Sequence, residues 1–319
     1  MRRSPDTPLY PLIQPYSSGY LNVDATHQLY WEQCGNPDGV PIIVLHGGPG
    51  AGCTTTHRRF FDPAHYRIIL LDQRGAGRSS PLGCIVDNTL PHLVSDIEAL
   101  RVHLRVKKWH LFGGSWGSSL ALAYAQAYPQ TCMGLIVYGI FLCTAQEITW
   151  FTDTVKSVYP DIHRTLCAPL NDREMDEGLI DTYFQRLQSP DPALRRTAGL
   201  AWYMYEASLS SFQTQIPRAP APGEYAQIAA QALITLHYFR QFRSAPIDLL
   251  GGIDQLRSIP AAIIHSRYDM VCPISSADLL HNAWPEADYI VVQDAGHAAL
   301  DPPLRTRLLA TTQNARNWS

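Results

Sequence analysis

The sequence predicts a mixed α/β fold: an eight-stranded, mostly parallel sheet with helices on both faces and an inserted helical cap. Short β-rich runs alternate with helical stretches through the first half of the chain, as in βαβ units. The strand candidates are continuously apolar, as expected for strands that are buried on both faces. Strand signals then vanish from about Ala145 until Ala261, and helical periodicity replaces them.

The first half of the chain contains six strand candidates. GYLNV and QLYWEQCG come first, and we expect them to form an antiparallel pair. The strands that follow are PIIVLHGG, RIILLDQRG, WHLF and GLIVYGIF. Helical spacing marks LVSDIEALRVHL and the Ala- and Leu-rich stretch after Ser115, so helices are predicted on either side of the strand WHLF.

The middle of the chain is predicted to be an insertion of roughly 100 residues that is entirely helical. Its helical segments are EITWFTDTVKSVY, LIDTYFQRLQ, LRRTAGLAWYMYEASLSSF and YAQIAAQALITLHYFRQF, and the Pro- and Asp-rich segments between them are predicted to be turns. The sheet resumes with AAIIHSRYD and YIVVQDAGH, and LRTRLLATTQNA closes the chain as a helix. The predicted division is therefore a core of residues 1–144 and 246–319, with a cap of residues 145–245.

Composition excludes several classes of protein. The net charge of −3 gives no basic field for nucleic acid or anionic lipid. The N-terminus has no apolar run typical of a signal peptide, and the longest apolar run, GLIVYGIFLCTA, spans about 12 residues, too few to cross a bilayer. The seven cysteines show no metal-ligand spacing. We therefore expect a cytoplasmic protein with free thiols, without a metal or cofactor and without nucleic-acid or membrane partners.

The segment FGGSWGSSLALAYAQAYP places a serine between glycines where a strand ends and a helix begins. A serine hydroxyl needs exposure and a neighbouring base before it can act as a nucleophile. A tight strand-to-helix turn supplies the exposure, and glycines permit its strained backbone. Ser115 is therefore a candidate nucleophile in a G-x-S-x-G turn. The alternative is a glycine-rich turn whose serine only caps the helix.

Two further residues follow Ser115 in the chain order that this chemistry requires. Asp269 comes shortly after the strand AAIIHS, and His297 comes after the strand YIVVQ. Ser115, Asp269 and His297 thus form a candidate catalytic triad. Asp294 and Asp301 are competing acids, but both lie too close to His297 in the chain to come from a separate strand. The alternative roles are a turn or helix cap for Asp269 and a structural histidine for His297.

Glycine-rich loops follow two other strands. HGGPG can aim backbone N–H groups at an oxyanion, so we predict an oxyanion hole formed by the N–H of Trp116 and that of Gly47 or Gly48. The alternative is a tight turn shaped by Pro49. The loop DQRGAGRS lacks both nucleotide-binding glycine patterns, and we expect it to brace HGGPG, with Arg74 in a structural ion pair.

These motifs resemble those of the proline iminopeptidase family, which has the α/β-hydrolase fold and is cytoplasmic. The resemblance rests on HGGPG, DQRGAGRS, FGGSWGSSLALAYAQAYP and RYDMVCP, and it covers about residues 10–142 and 246–301. It implies that the nucleophile, acid and base are Ser115, Asp269 and His297. It also implies release of proline from the free N-terminus of a peptide.

Release of N-terminal proline needs an apolar pocket for the ring and a carboxylate for the charged nitrogen. Glu206 resembles the family acid that holds the amine; the alternative is a solvated helical glutamate. The aromatic residues of the predicted cap that are wall candidates, or plain core packing, are Trp150, Phe151, Trp202, Tyr203, Tyr205, Tyr238 and Phe239. The chain departs from the family pattern at Thr235, where a second amine-binding acid is expected, and at Tyr138, where an arginine is expected.

Three hypotheses of function follow from the sequence. The first is a serine exopeptidase that releases N-terminal proline or a similar small residue from a short peptide. The second, suggested by Thr235, is the same machinery acting on an ester, amide or lactone without a free amine. The third is a non-catalytic binding protein on a hydrolase scaffold, and the complete triad argues against it. The sequence leaves the oligomeric state open.

Overall fold

The sheet is the centre of the molecule. The computed structural model describes residues 8–213 and 217–318. In this part of the chain, eight strands form one sheet in the order β1-β2-β4-β3-β5-β6-β7-β8. The strands are β1 (Ser17–Asn22), β2 (Gln28–Gly35), β3 (Val40–Leu45), β4 (Tyr66–Leu71), β5 (Trp109–Gly114), β6 (Cys132–Tyr138), β7 (Ala261–Ser266) and β8 (Asp288–Val292).

Strand direction confirms the predicted sheet. β2 pairs antiparallel with both β1 and β4, whereas every pair from β4 across to β8 is parallel. The carboxyl ends of these parallel strands therefore meet at one edge of the sheet, and the loops that follow them come together there.

Successive side chains of each strand point to opposite faces of the sheet, so the core has two layers. Ile43 and Leu45 belong to the apolar cluster on one face of the sheet, and Ile42 and Val44 belong to the cluster on the other. Because both faces are covered, β3 reads as a continuous apolar run in the sequence.

Helices cover both faces of the sheet. Those of the described core are α1 (Leu90–His103), α2 (Trp116–Ala127), α9 (Ile274–Ala283) and α10 (Pro302–Asn314). The buried apolar side chains of α1, α2 and α9 belong to the first apolar cluster, and Leu304 and Leu308 of α10 belong to the second.

The chain between β6 and β7 is helical, as predicted. Its described helices are α3 (Ala145–Thr152), α4 (Pro160–Cys167), α5 (Asp172–Glu177), α6 (Leu179–Leu187), α7 (Pro192–Ser210) and α8 (Tyr225–Ser244). Helix α7 packs against both α6 and α8. The exact division of the chain into core and cap at residues 145 and 245 stays a prediction.

Helices α4 and α5 correct the sequence analysis, which predicted turns in these segments. Pro160 occupies the first turn of α4, where a missing N–H costs nothing. Asn171 caps α5 by accepting a hydrogen bond from the Glu174 N–H. Proline and capping residues are common in both turns and helix starts, so composition alone did not separate the two.

The loop after β4 is held by buried charges, as the sequence analysis expected for Arg74. The guanidinium of Arg74 donates to both carboxylate oxygens of Asp96, at 2.6 and 2.8 Å, and to Asp24 at 2.7 Å.

Among the helices of the described residues, none is long and apolar enough to cross a membrane.

Candidate active site

Ser115 lies at the sharp turn between β5 and α2. Its backbone angles, φ 56° and ψ −129°, are strained for a residue with a side chain. The Ser115 N–H donates to the Tyr138 carbonyl at 2.9 Å, and the Ser118 hydroxyl donates to the Ser115 carbonyl at 2.6 Å. The strained conformation is therefore fixed by hydrogen bonds on both sides, as a nucleophile turn requires.

Glycines occupy this turn because a side chain at these positions would collide with neighbouring atoms. A Cβ on Gly113 would collide with the Gly117 carbonyl, and a Cβ on Gly117 would collide with the Leu45 carbonyl at the end of β3. A Cβ on Gly114 would collide with the ring of Tyr138, the residue that stands in place of the expected arginine. The G-x-S-x-G spacing thus allows α2 to pack directly on β3 and β5.

Asp269 and His297 form a hydrogen-bonded pair on the loops that follow β7 and β8. The distance from His297 Nδ1 to Asp269 Oδ2 is 2.7 Å. Asp269 Oδ1 accepts from the N–H groups of Val271 and Cys272, at 3.0 and 2.8 Å. Gly139 lies against this pair, and a Cβ there would come within 3.2 Å of the imidazole.

The pair changes the ionisation of both of its members. Burial alone raises the pKa of Asp269, but His297, together with His265 and the Cys272 N–H, lowers it by more, so the pKa lies below its usual value. Burial alone lowers the pKa of His297, but Asp269, with further contributions from Glu206 and Asp301, raises it above the usual value. This is the electrostatic arrangement that stabilises an imidazolium formed during catalysis.

His265, which the sequence analysis did not single out, braces the loop that carries Asp269. Its Nδ1 accepts from the Ile140 N–H at 3.0 Å, so its proton is on Nε2, which donates to the Cys272 carbonyl at 3.0 Å. His265 thereby connects the end of β6 to the loop after β7.

Ser115 lies at the same edge of the sheet as the Asp269–His297 pair. Its Oγ is 4.0 Å from the Cys272 Sγ, and the Cys272 N–H is one of the donors to Asp269. Burial raises the pKa of the Cys272 thiol well above its usual value, so the thiol stays protonated. Proton transfer from Ser115 to His297 stays a prediction.

The residues predicted to form the oxyanion hole surround Ser115. A Cβ on Gly47 would lie 3.3 Å from the Ser115 Cβ and 3.9 Å from its Oγ, and Gly48 lines the same pocket as Ser115. Trp116 is the first residue of α2, so its N–H is one of those without a partner inside the helix.

Gln73 joins the two sides of this region. Its side-chain oxygen accepts from the Trp116 indole at 2.8 Å, and its side-chain nitrogen donates to the His46 carbonyl at 2.8 Å. The loop after β4 therefore braces HGGPG, as the sequence analysis predicted.

A pocket above Ser115 is closed by cap helices. Its lining residues are Gly48, Ser115, Phe141, Glu147, Phe151, Glu206, Thr235, Phe239, Val271 and Cys272. The free volume is about 20 Å³, which is room for about one water molecule. The pocket is therefore narrow, and its wall contains three phenylalanine rings and two carboxyl groups.

Glu206 lines this pocket, where an amine-binding acid would have to lie, and its role in binding stays a prediction. Burial raises its pKa to about 7, although the nearby His297 acts in the opposite direction. A cation that enters the pocket lowers the pKa of such a buried carboxyl group, so the carboxyl group ionises most readily when a cation is bound.

Comparisons with known proteins show the fold and the family of this chain. A family model described as the α/β hydrolase fold matches residues 40–302. A probable proline iminopeptidase of Leptolyngbya boryana is 45% identical over 309 residues, which cover 95% of this chain and 95% of that protein. The proline iminopeptidase of Neisseria gonorrhoeae is 43% identical and covers 96% of this chain and 98% of its own length.

The chain belongs to the proline iminopeptidase family. The relative from Arabidopsis thaliana, also a proline iminopeptidase, is 43% identical over 97% of this chain and 82% of its own. Among solved structures, the α/β hydrolase MGS-M2 from a deep-sea metagenome library matches with a TM-score of 0.64 at 17% identity, over 92% of this chain and 95% of that one. That likeness shows the fold alone.

Three of the aromatic residues that were suggested as pocket walls pack away from the pocket in the described part of the chain. Trp202 lies between Phe151 and Tyr183, and the Tyr205 hydroxyl donates to the Phe151 carbonyl. Tyr238 packs against Trp116 and donates to Asn88 at 2.7 Å. The structure gives no support to substrate contact by Trp202, Tyr205 or Tyr238, whereas Phe151 and Phe239 do line the pocket.

Other pocket residues were missed by the sequence analysis. Phe141 comes shortly after β6, and Val271 and Cys272 follow Asp269 on the loop after β7. The rule that predicted the triad, by which loops after parallel strands meet, applies to these residues as well. Glu147 could not be found in this way, because it enters from the cap helix α3.

A larger cavity lies away from Ser115. It is an open depression of about 630 Å³ between Leu82 and cap residues that include Arg195, Arg196, Tyr225 and Leu233. Its wall is otherwise apolar and contains none of the candidate triad residues, so the narrow pocket above Ser115 is the candidate site.

Proposed function

We propose that the protein is a serine exopeptidase that releases proline, or a similar small residue, from the free N-terminus of short peptides. The observation that carries this proposal is the Glu206 carboxyl group in the same narrow pocket as Ser115. A carboxylate there pairs with the charged nitrogen of a substrate whose first carbonyl lies at the serine. The names of the relatives agree with this substrate class.

In the proposed mechanism, Ser115 Oγ attacks the carbonyl carbon while His297 takes the hydroxyl proton. The N–H groups of Trp116 and of Gly47 or Gly48 stabilise the resulting oxyanion. Collapse of this intermediate breaks the C–N bond, and His297 gives its proton to the leaving amine. His297 then takes a proton from water as the water oxygen attacks the acyl-enzyme carbonyl. Collapse of the second intermediate breaks the bond to Ser115 Oγ, which receives that proton from His297, and proline is released.

The pocket limits what the first residue of the substrate can be. Phe141, Phe151 and Phe239 offer aromatic faces to a pyrrolidine ring. Because the pocket has room for about one water molecule, we expect these rings and the cap to move apart when substrate binds. A small, rigid, apolar first residue requires the least movement.

A second candidate function is hydrolysis of an ester, amide or lactone without a free amine. The observation in its favour is Thr235, an uncharged residue in the pocket where a second acid was expected. The pKa of Glu206, about 7, also means that its carboxyl group is substantially protonated at neutral pH when the pocket holds no cation.

The test compares proline β-naphthylamide, its N-acetylated form and p-nitrophenyl acetate, with Ser115→Ala as the control for background hydrolysis. We expect kcat/KM to be higher for the free-amine compound than for its acetylated form, because only the free amine can pair with Glu206. Faster hydrolysis of the acetylated compound would reject the peptidase proposal in favour of the second candidate.

We also propose that the protein works in the cytoplasm. All seven cysteines are free thiols, which suits a reducing compartment. Detection of the native protein in cell fractions would test this placement.

A further inference from the structure

Thr235 connects the cap to the loop that borders the candidate oxyanion hole. It lies on α8 and is 2% exposed. Its hydroxyl donates to the Pro49 carbonyl at 2.9 Å, across a separation of 186 residues in the chain. Pro49 directly follows Gly47 and Gly48, so this bond holds the loop next to its candidate oxyanion donors.

The packing around this hydrogen bond leaves little room for the loop to shift toward the cap. A Cβ on Gly50 would lie 3.0 Å from Ile234 and 3.2 Å from the Gln231 Cα, both on α8. From the core side, Gln73 donates to the His46 carbonyl. The HGGPG loop is therefore held between a core side chain and a cap helix.

Thr235 has a different hydrogen-bonding capacity from an acid. A hydroxyl group has one proton and can donate one hydrogen bond. In Thr235 that hydrogen bond goes to the Pro49 carbonyl, so Thr235 has no proton left to donate to a substrate. Thr235 also carries no charge to pair with an ammonium group.

Glu147, the other carboxyl in the pocket wall, is already engaged. Its oxygens accept four hydrogen bonds, from the Leu142 N–H, the Thr144 N–H and hydroxyl, and the Ser276 hydroxyl. Of the two carboxyl groups, Glu206 is thus the one that we assign to the amine.

We propose that Thr235 is a positioning residue for the HGGPG loop. Through Thr235, the cap sets the geometry of the catalytic core. The proposal rests on the proposed serine mechanism but does not depend on the substrate having an amine. Removal of the hydroxyl leaves the Pro49 carbonyl without this donor, and the loop loses its attachment to α8. The expected defect is in the transition state, where the oxyanion forms, more than in substrate binding.

The test is Thr235→Val, which keeps the shape of the side chain and removes the hydroxyl. We expect kcat to fall on the order of tenfold for proline β-naphthylamide and for p-nitrophenyl acetate alike, with KM nearly unchanged. This is smaller than the 10²–10³-fold loss typical of removing an oxyanion donor, because the donors are displaced, not deleted. Thr235→Ser, which retains the hydroxyl, should restore most of the activity.

Thr312→Val is the matched control. Thr312 is also buried, at 1% exposure, and its hydroxyl also donates to a backbone carbonyl, that of Phe60 at 2.8 Å. It lies on α10, and its loss should lower the melting temperature without changing kcat.

Labelling of Ser115 by a fluorophosphonate gives a readout that is independent of substrate. We expect slower labelling of Thr235→Val than of wild type, because phosphonylation also develops charge on an oxygen at this site. A wild-type kcat and labelling rate in Thr235→Val would overturn the proposal. So would a defect confined to KM for the amine substrate, because Thr235 would then act on substrate. Failure of the wild type on proline β-naphthylamide, with normal labelling, would reject only the proposed peptidase function.

Discussion

At the scale of single residues, the unusual feature of the site is that Glu206 and His297 influence each other. The carboxylate of Glu206 contributes to the raised pKa of His297, and His297 opposes the rise in the pKa of Glu206. The group proposed to bind the amine therefore also affects the group proposed to act as the base, so their titrations are coupled.

This coupling predicts the pH dependence of activity. In the proposed mechanism, Glu206 binds the amine as a carboxylate, which predominates above about pH 7, and His297 accepts a proton only when neutral, above its raised pKa. Both requirements fail as the pH falls. The kcat/KM for proline β-naphthylamide should therefore drop steeply below about pH 7, whereas p-nitrophenyl acetate should show the His297 requirement alone.

Glu206→Gln separates the two requirements. We expect kcat/KM for the amine substrate to fall by about 30-fold or more at pH 8, since loss of one partner of a desolvated charge pair costs about 2–5 kcal/mol. The pH profile with p-nitrophenyl acetate should shift to lower pH, because the carboxylate no longer favours protonated His297. The exposed Glu177→Gln is the control, and an unshifted ester profile would contradict the coupling.

At the scale of elements, the end of α7 is attached to the loop that carries His297. The Ala298 N–H donates to the Ser210 carbonyl at 2.8 Å. Asp301 Oδ2 accepts from the Gly296 N–H at 2.7 Å and from the Phe212 N–H at 3.1 Å. Asp301, which the sequence analysis set aside as the triad acid, thus joins the His297 loop to the segment after α7.

Asp301→Ala should weaken this joint. Two N–H groups lose their acceptor, so we expect the His297 loop to shift and kcat to fall on the order of tenfold, since small misplacements of catalytic groups are costly. Asp301→Asn keeps an acceptor oxygen and should retain most of the activity. Kinetics of both variants, beside the exposed Asp288→Ala, would measure this; equal kcat in the alanine and asparagine variants would argue against the hydrogen-bonding role.

At the scale of the whole molecule, the core of the cap is continuous with the wall of the pocket. Phe151 and Phe239 line the pocket on one side and contact Trp202 on the other, with ring centroids 5.9 and 6.4 Å apart. Trp202 is 1% exposed, so it supports the pocket from behind.

Trp202→Ala should therefore act mainly on stability. Loss of a fully buried tryptophan side chain typically costs about 3–5 kcal/mol, whereas Trp202→Phe fills much of the space and should cost less. Denaturant unfolding followed by circular dichroism would measure the difference. If instead Trp202→Ala kept its stability and lost affinity for substrate, Trp202 would have to contact substrate after all.

Much of the core could be predicted from the sequence, because its physical rules are local. Continuous apolar runs gave the parallel strands, and their carboxyl ends placed Ser115, Asp269 and His297 at one edge. The cap was less predictable. Helical periodicity shows that Trp202 and Tyr238 face inward, but it does not distinguish a buried core from a pocket wall. The bond from Thr235 to Pro49 joins residues far apart in the chain, and no local pattern signals it.

The attachment of α7 has a practical consequence for engineering. Glu206 and Ser210 lie one turn apart on the same helix, so the segment that would select the substrate also contacts the loop of the general base. A chimaera that takes its cap from another family member would therefore exchange the contacts that hold the His297 loop together with the residues that select the substrate. Grafts that preserve the contacts of Ser210 and Phe212 should remain active more often than grafts chosen for their pocket residues alone.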